Sequence, residues 1–178
     1  MTLNTVAVND PVLASTHQQV IAKVNASPGR QVFTSNGTFS VPSGIHKFRV
    51  FVISGGAEGN ALGSGGSGED SYTIAGEDGL SGFAVSVDYA GVEIGTSFAV
   101  VVGAAGGTSS FGSTFSITGA TGVSRGTVTT PGGSSPMYHM NGIYCNNSGV
   151  PYGSGGAGAD LIGTPLQPGV QGVVVVEW

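Results

Sequence analysis

"VFVISGGAEGNALGSGGSGED", Val50 to Asp70, begins as an apolar strand and breaks into glycine, serine and two acids. Three readings compete: a phosphate cradle, a slack linker, or part of a fold that needs glycine for its own packing. Gly63-Ser64-Gly65-Gly66-Ser67-Gly68 has the G-x-G-x-x-G form, and Asp88 follows at about the spacing of a ribose-binding acid. A dinucleotide cradle also requires a helix whose N-terminus faces the pyrophosphate. The next stretch, "EDSYTIAGEDGLSG" (69–82), is acidic, is broken by Gly76 and Gly79, and has no helical spacing. No Walker lysine occurs either, so nucleotide binding is set aside. A linker would not be followed by so many further strands. The remaining reading is a core strand that runs into an ordered, close-packed glycine loop, with Glu69 and Asp70 at its solvated end.

Outward from this stretch the period is two. In "IHKFRVFVI" Phe48, Val50 and Val52 alternate with Lys47, Arg49, Phe51 and Ile53, which predicts a strand covered on both faces towards its end. Upstream, "QVFTSNGTFSVPSG" presents two short strands around Ser35-Asn36-Gly37, and Asn-Gly predicts a tight hairpin. Downstream, strands are expected at 82–90, 97–103, 114–118, 126–130 and 172–178, with Trp178 packed. Many short β-branched segments between glycine-rich turns predict an all-β chain: a glycine-rich antiparallel β-sandwich or barrel-like domain over residues 31–178.

The first 30 residues are a different kind of sequence, since all but three of the 33 glycines lie from Gly55 onward. Asp10 suits an N-cap and Pro11 the first helical position. Leu13, Val20, Ile21 and Val24 recur at near-helical spacing until Pro28-Gly29 stops the element. This predicts a short N-terminal helix near 11–26. Alone it would be marginal, so its apolar face either lies on its own domain or docks onto a partner or symmetry mates.

The composition narrows function. With 8% charged residues, a net charge of −5 and five basic side chains, the chain is unsuited to tracking nucleic-acid phosphates or binding an anionic membrane. One cysteine, Cys145, excludes an intrachain disulfide and is read as a small inert side chain. The opening "MTLNTVAVNDPV" has neither basic nor apolar signal-peptide regions, and no run reaches transmembrane length. Synthesis in a cytosol without a conventional signal peptide is expected.

Seven of the ten acids fall between Glu58 and Glu93, but without a calcium-loop pattern, and they are read as solvated loop charges. His17, His46 and His139 sit in unrelated segments, and no paired carboxylates stand in a recognisable setting. The expectation is no enzyme, no metal and no cofactor. The segment 136–153, "PMYHMNGIYCNNSGVPYG", is the most side-chain-rich loop. Its aromatics either cover the core edge or form a recognition surface, because Tyr with Ser, Gly and Asn is the palette of adaptable binding loops. The candidate contacts are Tyr138, His139, Tyr144, Asn146 and Tyr152, with the 57–79 loop as a second candidate surface.

Several phrases share a pattern with a known family. "VFTSNGTFSVPSGIHKFRVFVISGG", carried by Phe33, Gly37, Phe39, Val41, Pro42, Gly44, Ile45, Phe48, Val50, Val52, Gly55 and Gly56, resembles the opening of glycine-rich phage tail-fibre and tail-tip adhesin domains. "FAVVVGAAGGTSSFGS" and "GVQGVVVVEW" resemble later segments of that family, in the right order. The resemblance implies a β-sandwich at or near a tail-fibre tip, contacting a host surface receptor, a glycan or outer-membrane protein, through its loops. It implies other tail proteins as partners and a homotrimer. In related adhesins glycine segments form polyglycine II helices. Here the runs "GSGGSG", "GGTSS" and "GSGGAGAD" are short and interrupted, which argues against an extensive lattice. The alternative function is a purely structural tail, baseplate or capsid-decoration cap.

Overall fold

The computed structural model describes residues 29–65, 72–122, 124–139 and 144–178. The expected helix, with Leu13, Val20, Ile21 and Val24, lies outside the described residues. Within them the chain is all-β, and every strand pairing is antiparallel.

The strands in chain order are β1 (Arg30–Phe33), β2 (Gly37–Ser40), β3 (Lys47–Ile53), β4 (Gly63–Gly65), β5 (Tyr72–Ile74) and β6 (Ala84–Ala90). They continue as β7 (Ser97–Val101), β8 (Ser109–Phe111), β9 (Phe115–Ile117), β10 (Val128–Thr129), β11 (Met137–His139) and β12 (Val173–Glu177). One five-stranded sheet has the order β1-β12-β3-β6-β11 and a second has β10-β9-β8-β7-β2, while β4 and β5 form a separate ribbon.

The β1–β2 hairpin does not form. β1 pairs with β12 in the first sheet, and β2 with β7 in the second. The reason is local. Neither Asn36 nor Gly37 takes the positive φ that a tight hairpin turn needs. The Asn36 Oδ1 instead accepts the Val102 N–H at 2.8 Å, tying the crossing to the second sheet. Phe33 and Phe39 thereby reach one shared core from opposite sheets.

That core draws on both sheets: Phe48, Val50 and Val52 of β3 and Val85 and Val87 of β6 meet Phe39, Val100, Phe111, Phe115 and Ile117. Phe39 packs edge-on against Phe48 at 5.3 Å between ring centres, and Phe98 stacks on Phe111 at 4.7 Å. The outer face of β3 is covered as well, because Ile53 joins Ala84, Tyr152, Val173 and Val175 in a second cluster. Trp178 is half-buried against Phe39 and exchanges two backbone hydrogen bonds with Gly29.

Beyond β3 the period changes from two to three. Four extended segments, a (54–60), b (76–83), c (153–159) and d (167–171), run side by side and are joined by backbone hydrogen bonds. Ser54, Ala57 and Asn60 of a donate to Phe83, Leu80 and Glu77 of b. Gly76, Gly79 and Gly82 of b donate to Ala159, Gly156 and Gly153 of c. Gly156 and Ala159 of c donate in turn to Ala57 and Asn60 of a. Segment d closes a second triangle on the a–c edge: Gly56 and Gly59 donate to Val170 and Gln167, and those residues donate to Ser154 and Ala157. A strand repeats its facing side every second residue, whereas a polyproline-II-type helix repeats every third. The three-residue recurrence in all four segments is therefore that of polyglycine-type helices. Of the three glycine runs, only "GSGGAGAD" enters this lattice, as segment c, and the lattice is a small one.

Glycine is needed where backbones touch. A Cβ at Gly56 would meet the Ser154 carbonyl, one at Gly79 the Ala57 and Glu58 carbonyls, and one at Gly155 the Gly79 carbonyl. Gly79→Ala should therefore cost about 1–3 kcal/mol or more, the price of overpacking against backbone that cannot yield. At Gly132 a Cβ meets nothing within 4 Å and φ is not positive, so Gly132→Ala should leave stability within about 0.5 kcal/mol. Urea unfolding of both variants checks the contrast; equal midpoints would contradict it.

Candidate functional site

The segment 136–153 is not one free loop. Met137–His139 forms β11, the edge strand against β6, and Tyr138 stands 60% exposed with its ring edge-on to Phe83. His139 lies against Phe51, and its Nε2 is 2.8 Å from the Ser86 Oγ. Tyr144 lies half-buried across Phe51, donates its hydroxyl to Glu177 Oε1 at 3.0 Å, and carries the Arg30 guanidinium over its ring at 4.7 Å. Burial, reinforced by the hydrogen bond to the Glu177 carboxylate, pushes the Tyr144 phenol up to about 12. Asn146 braces its own turn, its Oδ1 accepting the N–H groups of Ser148 and Val150. Tyr152 is buried in the outer-face cluster. Of the five residues, Tyr144 and Tyr152 cover the sheet, His139 and Asn146 hold local structure, and Tyr138 presents an exposed ring.

The larger exposed surface lies elsewhere, and the lattice places it. Segment a leaves β3 and runs away from the sheets, and b returns to β6; c leaves beside Ile53, and d returns to β12. The bonds Asn60–Glu77, Gly76–Ala159 and Gly59–Gln167 hold the far ends of all four segments level. Two loops emerge there: one described over 61–65 and 72–75, which contain the β4–β5 ribbon, and 160–166. They carry Leu62, Tyr72, Ile74, Leu161 and Ile162, five of the eleven large apolar side chains exposed among the described residues. The opposite end of the molecule carries Gly29 and Trp178, bonded to each other where the chain enters β1 and leaves β12.

The charges divide the same way. Arg30, Glu177, Arg49 and Asp88 stand in register across β1, β12, β3 and β6, near the Gly29–Trp178 end. Arg49 binds Asp88 through both of its oxygens, at 2.6 and 2.9 Å, and this contact holds the Asp88 carboxyl below the usual carboxylate range. Among the described residues neither far loop carries Lys or Arg, while Glu77, Asp78 and Asp160 stand at their bases. Arg125 lies on the turn that flanks segment a, not on either loop.

The remaining surface features offer little chemistry. An open groove of about 450 Å³ beside segment a is lined by backbone and small side chains, and Glu58 is its one ionisable group. The sequence around Ser124 has the glycine spacing of a hydrolase nucleophile elbow, which the reading of the sequence missed. Ser124 sits instead in a turn closed on Thr121, and its Oγ accepts the Gly126 N–H at 3.2 Å. Among the described residues no three His, Cys, Asp or Glu side chains gather in a group that could hold a metal ion.

No protein-family model matches the chain, and no curated protein matches it.

Burial keeps Tyr89 as well as Tyr144 neutral up to about 12, so both should titrate late in a tyrosinate absorbance titration. Both folded-state values are raised, so the stability they contribute is complete below pH about 10 and is lost as pH rises through about 12. Tyr144→Phe should remove one tyrosine from the late phase and cost about 0.5–1 kcal/mol for the lost hydrogen bond. A variant whose late phase is undiminished would contradict the assignment.

Proposed function

We propose that the protein is a phage virion component, a tail-fibre or tail-tip module that attaches the particle to the host surface. In this reading the two sheets form a glycine-rich β-sandwich. The N-terminal helix near 11–26 docks the domain onto other tail proteins, as a homotrimer, through Leu13, Val20, Ile21 and Val24. The loops at the far end of the glycine lattice meet the host receptor.

One observation carries the reading: exposed apolar side chains gather at the end opposite the point where the chain enters its first strand. A module held at its Gly29 end would carry Leu62, Tyr72, Ile74, Leu161 and Ile162 outward. Apolar residues that do not serve the core, grouped on loops above a rigid scaffold, are the usual material of a recognition surface. The motif resemblance at 32–56, 98–113 and 169–178 supports the same class of protein. Tyr138, with its exposed ring on β11, is a second contact outside this end.

The test is a virion carrying Leu62→Ser, Tyr72→Ser and Leu161→Ser together, compared with one carrying Tyr138→Ala. The triple variant should assemble normally and adsorb to host cells about tenfold more slowly or worse, with a smaller effect from Tyr138→Ala. Normal adsorption by the triple variant would overturn the attachment reading. Failure of particle assembly when the protein is removed, with adsorption by the remaining particles unchanged, would favour the structural-cap reading.

A further inference from the structure

Ile162 is 91% exposed, the most exposed large apolar side chain among the described residues. An exposed isoleucine is ordinary on a slack loop, but this one is held. The Asp160 Oδ1 accepts the Ile162 N–H at 3.0 Å and the Thr164 N–H at 2.8 Å, and the Asp160 N–H donates to the Thr164 carbonyl at 3.2 Å. Gly163 completes the turn at φ +97°, a backbone conformation that a β-branched residue would resist. The turn is seated on the lattice at both ends. Ala159 is buried and donates to the Asn60 carbonyl, and Gln167 donates to the Ala157 carbonyl.

Resting on the attachment reading above, we propose that Ile162, with Leu161 beside it, is a pre-ordered anchor for an apolar pocket on a protein receptor. Asp160 is its positioning residue. The ordering cost of the turn is met before binding, so burying the two side chains translates more fully into affinity. The charges choose the partner. With Glu77, Asp78 and Asp160 near the loops and no Lys or Arg on their described residues, the surface suits a pocket with a neutral or basic rim. It would be repelled by phosphorylated saccharide or an anionic bilayer. A sugar chain also offers no apolar cavity for two branched side chains.

The experiment measures binding of the purified full chain to cells that the virion infects, with thermal unfolding recorded for every variant. Ile162→Ser should weaken binding about tenfold or more, and Asp160→Ala by a smaller factor, both with unchanged unfolding. Asp160→Asn, which keeps the Oδ1 acceptor, should bind like the unmodified chain. Protease treatment of the cells should abolish binding, and periodate treatment should not. Undiminished binding by Ile162→Ser overturns the anchor while leaving attachment standing, and Asp160→Asn binding as weakly as Asp160→Ala overturns the positioning role. Binding lost to periodate, or Ile162-dependent binding to vesicles of phosphatidylethanolamine and phosphatidylglycerol, overturns the protein pocket. An unmodified chain that does not bind the cells at all removes the attachment reading and the anchor with it.

Discussion

The contact on which the rest depends is backbone against backbone. Segments a, b, c and d approach until a carbonyl of one occupies the place where a side chain of the next would begin. Only hydrogen fits there, so the glycines at 56, 76, 79, 155, 158 and 169 follow from the packing. Glycine loses more conformational freedom on folding than any other residue, and a chain with 33 of them needs a large offset. It comes from hydrogen bonds that recur every third residue, so that segments too poor in apolar side chains to build a core are held by their own amides.

This lattice is an extension of the sheets. Segment a continues β3, b leads into β6 and d leads into β12, the three central strands of the first sheet. The strands are fixed by the aromatic and β-branched core, and the core fixes where the lattice starts. The lattice then carries two loops to one end, while residues 29 and 178 are bonded together at the other. In the proposed reading this polarity is the functional property: one end for the particle, one for the host, and a stiff connection between them. Ile162 depends on that stiffness, because its turn is anchored on the last bonds of c and d.

Much of the fold was legible in the sequence. The alternation of Phe48, Val50 and Val52 with Phe51 and Ile53 foretold a strand covered on both faces, and both faces are covered. Valines 173–176 and the run from Ala84 to Ala90 stood out as strands for the same reason. Asn36-Gly37 misled, because a turn dipeptide reports local preference and cannot register that Val102, 66 residues away, supplies a partner for the Asn36 side chain. β4, β5, β8 and β11 were missed; Gly63–Gly65, Ser109–Phe111 and Met137–His139 hold no β-branched residue to mark them, unlike the equally short β9 with Ile117.

The candidate site was harder to read. Composition directed attention to Tyr144 and Tyr152 as contact residues, yet aromatic rings in a loop serve equally to roof a sheet, and these two do. The signal for the far end was present but disguised: Gly76, Gly79 and Gly82 are spaced by three, a period that a search for helices and strands passes over. The antiparallel bonding of a with b and of c with d, with a and c parallel, is what puts both loops at one end. The lattice itself can be tested most directly by residue-resolved amide hydrogen exchange. Ala57, Asn60, Gly76, Gly79, Gly82, Gly156 and Ala159 should be protected, whereas Glu58, Glu77 and Asp78, whose N–H groups point to no neighbouring segment, should exchange freely. Equal, rapid exchange at both sets would contradict the lattice and the polarity built on it.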